Sequence, residues 1–144
     1  MQAIGQHAGA HWAEQYVGTP YTTLNCAQLV AHALRTHFDR DDLALTLEGY
    51  KQHGEGTVER SAAIKGHRGD VATRADINLT TSEMDGYGVV LQVGVKLQHM
   101  GLVAVVNNCA YILHTTRKSG AVLERIDRVA RVYTIEGFYK WNEK

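Results

Sequence analysis

The sequence predicts an α+β fold in which helices come first and an antiparallel sheet follows. Between Cys26 and Phe38 the apolar residues recur about every 3.6 residues, which is typical of an amphipathic helix. From residue 86 onward the chain holds short β-rich runs that are separated by Gly, Asn and Lys/Ser turns. Helices followed by a meander of strands is the order typical of α+β proteins.

The first half of the chain predicts up to three helices. Ile4 to Tyr16 has apolar and aromatic residues near helical spacing. The second helix is expected from Cys26 to Phe38, and Asn25 directly before it is a favourable N-cap. A short helix is expected from Val58 to Lys65, and the segment from there to Asp85 is expected to be loop.

The second half predicts strands joined by tight turns. Asn107-Asn108 and Lys118-Ser119-Gly120 are expected as the tips of two hairpins. The β-rich runs are GYGVVLQVG, HMGLVAVVN, YILHTT, GAVLERI and ARVYTIEGFY.

Length and charge narrow the class of protein. At 144 residues the chain is expected to form a single domain that covers residues 1–144. Lys plus Arg and Asp plus Glu number 15 each, so nothing in the overall charge points to nucleic acid or to an anionic membrane. No apolar run approaches the ~20 residues that span a bilayer. The N-terminus lacks a basic start followed by an apolar stretch, so we expect a cytoplasmic product without a signal peptide.

Cys26 is the residue whose position suggests chemistry. At the start of a helix, the dipole favours the thiolate form and lowers the pKa, and the backbone N–H of Cys26 is a natural oxyanion donor. A buried, inert helix residue is the alternative. The other cysteine, Cys109, falls at a predicted hairpin turn and is interpreted as structural. One disulfide is formally possible, but two free thiols are expected in a chain without an export signal.

A catalytic cysteine needs a base and a group that orients the base, and two histidines on neighbouring predicted strands offer both. His99 and His114 lie at similar distances from the expected turn at Asn107-Asn108. Cross-strand partners come within roughly 5 Å at Cβ, so the pair can face each other, with His99 toward a cysteine and His114 behind it. The alternative for His99 is a surface position at a strand edge.

The motifs "GTPY…CAQLVAHAL" and "HMGLVAVVNNCAYILHTT" resemble the NlpC-type cell-wall cysteine endopeptidases, which are rearranged relatives of papain. The likeness covers roughly Trp12 to Phe38 and Tyr87 to Trp141. The ending "VLERIDRVARVYTIEGFYKW" is similar to the branch found in phage and prophage tail-tip proteins. The resemblance implies a papain-like NlpC-type fold, with N-terminal helices packed on an antiparallel sheet.

Carried over residue by residue, the resemblance assigns Cys26 as nucleophile, His99 as base and His114 as the orienting residue. Tyr21 corresponds to the tyrosine of G-T-P-Y, which lines the site beside the nucleophile, and packing is its alternative role. The family's Asp before the cysteine is Asn25 here, and the Ser-Gly after it is Ala27-Gln28. Those Asp and Ser side chains bind the amino end of the peptide in many members, so substrate recognition is expected to differ.

The resemblance implies a peptidoglycan hydrolase that cuts stem peptides, most often at the γ-D-glutamyl–diamino acid bond. Delivery by a phage tail or a secretion machine would carry it to the virion tail, periplasm or cell wall, and tail proteins are expected partners. A secreted antibacterial amidase and a non-hydrolytic tail-assembly module are the alternatives. No cofactor is implied. Cys26, Cys109, His99 and His114 lack C-x-x-C and H-x-x-x-H spacing, so no metal site is predicted.

Overall fold

The computed structural model describes residues 11–44, 72–75, 84–93 and 97–143. In these ranges the chain is α+β, as predicted, with one six-stranded antiparallel sheet and a few helices. No helix within them is long and apolar enough to cross a bilayer. The helix expected from Val58 to Lys65 lies outside the described residues, as does most of the one expected from Ile4 to Tyr16.

Helix α1 (Cys26–His37) forms where the 3.6-residue period predicted it, and Asn25 is its N-cap. The Asn25 side chain accepts from the backbone N–H of Gln28 at 3.0 Å, and the Gln28 side chain accepts from the backbone N–H of Asn25 at 2.9 Å. This reciprocal capping box satisfies N–H groups that have no partner inside the helix. Upstream, a 3-10 helix (Trp12–Tyr16) is the described part of the first expected helix.

The five predicted strands form, and one further strand, the first in the chain, extends the sheet. The strands are β1 (Ala72–Ala75), β2 (Gly88–Val93), β3 (Leu97–Val106), β4 (Cys109–Thr116), β5 (Gly120–Arg125) and β6 (Thr134–Trp141). Strands β2 to β5 are neighbours in chain order, while β6 pairs with the other side of β2 and carries β1 on its outer edge.

Both predicted hairpin tips are confirmed. Asn107 and Asn108 have φ angles of 52° and 65°, and Val106 pairs with Cys109 across them. Positive φ at both central residues defines the type I′ turn, which matches strand twist and suits Asn. The second tip ends at Gly120, which has a φ of 70° and pairs with Thr116.

Two expectations were wrong. Ala72–Ala75 was expected to be loop, but it is strand β1 because its backbone pairs with residues 138–141 of β6. The start of ARVYTIEGFY was expected to be strand, but residues 126–132 form helix α2 (Ile126–Val132). Only Val129 of α2 is buried, so a two-turn helix rich in β-branched residues gave no clear 3.6-residue signal.

The sheet carries a separate apolar cluster on each face. On the first face, α1 packs against alternate residues of β3, namely Met100, Leu102 and Ala104. On the second face, Val129 of α2 packs against Ile112 of β4. Because side chains alternate along a strand, His99 and the other odd-numbered residues of β3 point to the α2 face.

Candidate active site

Cys26 is the first residue of α1, and its side chain is fully buried, with 0% exposure. It belongs to the cluster on the α1 face of the sheet. Both cysteines have free thiols, as expected. Cys109 opens β4 beside the Asn107-Asn108 turn and is only partly buried.

His99 and His114 are in contact across β3 and β4. Their imidazole nitrogens, Nε2 of His99 and Nδ1 of His114, are 3.1 Å apart, and the ring planes are 74° to each other. Continuing the β3–β4 register from Leu102 opposite Leu113 sets His114 against Gly101. The pair is therefore a diagonal one, two residues offset, and diagonal partners remain within reach of aromatic side chains.

Glu124 extends the pair into a chain of three residues. Its Oε1 lies 2.9 Å from Nε2 of His114, whose side chain is only 1% exposed. Glu124 pairs with Ile112 in the β4–β5 register, while His114 pairs with Val122, so this step is also diagonal. His99, His114 and Glu124 thus cross three strands on the α2 face.

The hydrogen bonds of this chain determine where the protons lie. A carboxylate only accepts, so Nε2–H of neutral His114 donates to Glu124, and Nδ1 of His114 accepts. The bond between the histidines then requires Nε2–H on His99, which leaves the lone pair on Nδ1 of His99. Glu124 therefore orients His114, and His114 orients His99 so that the lone pair of His99 is on Nδ1.

Burial and charge act in opposite directions on His114. Burial lowers the pKa of His114 below its ordinary value of 6.5, while the hydrogen bond and the charge of Glu124 raise it in part. The net pKa shift is downward, so the buried imidazole is neutral at neutral pH. The hydrogen bonds to Glu124 and His99, with Nε2–H donating and Nδ1 accepting, require this neutral form of His114.

Tyr133 packs against both histidines, and sequence reasoning missed it as it missed Glu124. Its ring is stacked on His99 with centroids 5.8 Å apart, and it meets His114 edge-on at 5.5 Å. Burial raises the pKa of the Tyr133 hydroxyl, and the charge of Glu124 raises it further. Tyr133 is the C-cap of α2, a helix that was not predicted, so no local signal marked this residue.

Of the three predicted catalytic residues, His99 and His114 are in contact, and Cys26 is the first residue of α1. The histidine pair is on the α2 face, whereas α1 covers the other face and holds Cys26 in its core. The expected contact between the histidines is present. The approach of His99 to the thiol stays a prediction.

Tyr21 lies in the loop before α1, beside the turn that joins β4 to β5. The guanidinium carbon of Arg117 is 5.1 Å from the centre of the Tyr21 ring, within the range of a cation–π interaction. The two segments enclose a groove of about 360 Å³. The structure therefore puts Tyr21 at the wall of an open groove.

The remaining described histidines, His11, His32 and His37, each have a side-chain partner outside the His99–His114 pair. His11 bonds to Asp85 at 2.9 Å, and Nδ1 of His32 lies 2.6 Å from the hydroxyl of Tyr16. Asp85 also accepts from Trp12 and from the backbone N–H of Val105. These bonds attach the segment around the 3-10 helix to the sheet. Among the described residues, no three His, Cys, Asp or Glu side chains are placed to hold a metal ion.

Comparisons of the chain with protein-family models, with curated proteins and with solved structures found no match in any of the three.

Proposed function

We propose that this protein is an NlpC-type cysteine peptidase that cuts peptidoglycan stem peptides, at the γ-D-glutamyl–diamino acid bond. The observation that carries the proposal is the chain of His99, His114 and Glu124, joined at 3.1 and 2.9 Å. A base held by a second group, which is itself held by a third, is the arrangement that activates a nucleophile. The capped N-terminus of α1 supplies the nucleophile, Cys26.

In the proposed reaction the proton of the Cys26 thiol passes to Nδ1 of His99, and the sulfur attacks the peptide carbonyl. The backbone N–H of Cys26 stabilises the oxyanion of the tetrahedral intermediate. The C–N bond then breaks, His99 donates the proton to the leaving amine, and a thioester remains. His99 next takes a proton from water, and the water oxygen attacks the thioester carbonyl. The C–S bond then breaks, the carboxylic acid product leaves, and protonated His99 returns its proton to the sulfur of Cys26.

The proposed reaction requires the Cys26 thiol to become accessible to a substrate. Cys26 is fully buried and belongs to the apolar cluster on the α1 face of the sheet. Substrate binding that favours a state with an exposed thiol would shift the protein toward that state.

The proposal is tested by incubating purified sacculi with the protein and identifying the released fragments by mass. Cys26→Ala should abolish release, and Cys109→Ala should not, so the two thiols serve as a matched pair. His99→Ala should be nearly as damaging as Cys26→Ala, and His114→Ala less so, because an orienting residue acts through the base. Full release by Cys26→Ala would exclude the nucleophile assignment.

A second candidate, a tail-assembly module that keeps the fold and does not hydrolyse, is favoured by the burial of Cys26. Brief alkylation with iodoacetamide at pH 6 separates the two candidates. A peptidase should label Cys26 faster than Cys109, and His99→Ala should remove the difference, since the thiolate is the reactive form. A structural module should leave Cys26 unlabelled until the protein is unfolded.

A further inference from the structure

The groove beside Tyr21 is walled by two segments that are fixed to each other through backbone hydrogen bonds. The N–H of Gly18 donates to the carbonyl of Ala121 at 2.9 Å, and the N–H of Ala121 donates to the carbonyl of Thr19 at 2.8 Å. A Cβ at Gly120 would lie 2.6 Å from the carbonyl oxygen of Thr19, so this close approach needs glycine. The groove is therefore built into the fold.

The groove is positively charged. Arg117 and Lys118 line it and both are exposed, and none of the described residues that line it is acidic. Among the described residues neither cation forms an ion pair. The ring of Tyr21 faces the guanidinium of Arg117, which leaves the edge of the guanidinium available for a planar acceptor.

Volume limits what the groove can take. About 360 Å³ is at the lower end for ligand pockets, so it suits one or two residues of a peptide and not a long segment. Carboxylates are among the groups that an arginine fork recognises through paired hydrogen bonds, and they are the ones that peptides carry. Thr22, also in the lining, adds a hydroxyl to the same wall.

We propose that the groove between Tyr21 and Arg117-Lys118 binds a free carboxylate of a short peptide. Identifying that peptide as a peptidoglycan stem rests on the proposed function, because stem peptides carry free carboxylates along a short chain. In this chain Asn25 and Ala27 replace the residues that are expected to bind the amino end of the peptide. The groove would then supply other contacts to the substrate.

The proposal is tested by calorimetric titration of the full chain, carrying Cys26→Ala so that no ligand is consumed. The probe is the tetrapeptide L-Ala–γ-D-Glu–diaminopimelate–D-Ala, and the comparison ligand is the same peptide with its free carboxylates amidated. Arg117→Gln with Lys118→Gln should weaken binding about tenfold or more, since each removes a charge-assisted hydrogen bond. Lys140→Gln is the matched control, because Lys140 lies on β6, toward the opposite edge of the sheet.

Three results would overturn the groove assignment. They are equal affinity of the double variant and the parent, equal affinity for the amidated peptide, and binding of acetate as tight as that of the tetrapeptide. Sacculus hydrolysis with Cys26 restored is measured separately. Hydrolysis without groove-dependent binding overturns only the groove, whereas groove-dependent binding without hydrolysis supports the groove and overturns the peptidase.

Discussion

Nε2 of His99 lies 3.1 Å from Nδ1 of His114, although the two residues are not opposite each other in the register of β3 and β4. The bond runs diagonally across the sheet, and the next bond, from His114 to Glu124, does the same. The bond to Glu124 fixes the tautomer of His114, and the bond to His114 fixes the tautomer of His99. A carboxylate on β5 therefore determines which nitrogen of His99 can take a proton.

Glu124→Gln tests this chain without altering its shape. The charge of Glu124 raises the pKa of His114 against the effect of burial, so its loss should lower the pKa of His114 further. The same charge raises the pKa of Tyr133, which should move back toward 10.0. Titration of the His114 ring by NMR and of Tyr133 by absorbance measures both shifts. Glu143→Gln, at an exposed site, is the control. Unchanged pKa values of His114 and Tyr133 in Glu124→Gln would show that Glu124 does not act on either residue.

Local patterns were sufficient for much of the fold. The helix at Cys26 was predicted by its 3.6-residue period and by Asn25, and both hairpin tips by their turn residues. Proximity of the histidines followed from counting outward from Asn107-Asn108. These features depend on residues close in sequence, so one amino-acid sequence is sufficient to predict them.

Features that depend on distant pairing were missed. Strand β1 exists because β6 pairs with it, and a four-residue run has no pattern of its own. Glu124 and Tyr133 reach the histidines only after β5 and α2 are in place. The face that α1 covers was also beyond prediction, since β3 is apolar on both sides, with Leu102 and Val103 each fully buried.

The capping box at α1 predicts a cost for Asn25→Ala. Asn25 accepts from the N–H of Gln28, and loss of an N-cap side chain costs about 0.5–2 kcal/mol of folding free energy. Urea unfolding should show this loss as a lower midpoint with an unchanged slope. Thr23→Ala, at an exposed residue of the same loop, is the control. An unchanged midpoint for Asn25→Ala would mean that the cap adds nothing.

Gly101 predicts a second stability effect that is coupled to the site. A Cβ at this position would lie 2.5 Å from the carbonyl oxygen of Leu113 and 3.1 Å from the Cβ of His114. Gly101→Ala should therefore push β4 away and lower the free energy of unfolding by about 1–3 kcal/mol, as overpacking does. Ring signals of His114 and His99 should shift in NMR spectra as well. An unchanged free energy of unfolding together with unshifted ring signals would mean that β3 and β4 accommodate the methyl group without moving apart.

Acid should destabilise the protein through His114 and His37. Burial lowers the pKa of both below 6.5, and the charges of His32 and His11 add to the effect at His37. A histidine with a lowered pKa binds fewer protons folded than unfolded, so its contribution is present above pH 6.5 and is lost as the pH falls through the folded value. Each such histidine changes the free energy of unfolding by at most about 1.4 kcal/mol per pH unit.

Urea unfolding between pH 7.5 and 5 should show this decline in the free energy of unfolding. The decline should be smaller in His114→Gln and unchanged in Lys140→Gln. An equally steep decline in His114→Gln would exclude His114 as a source.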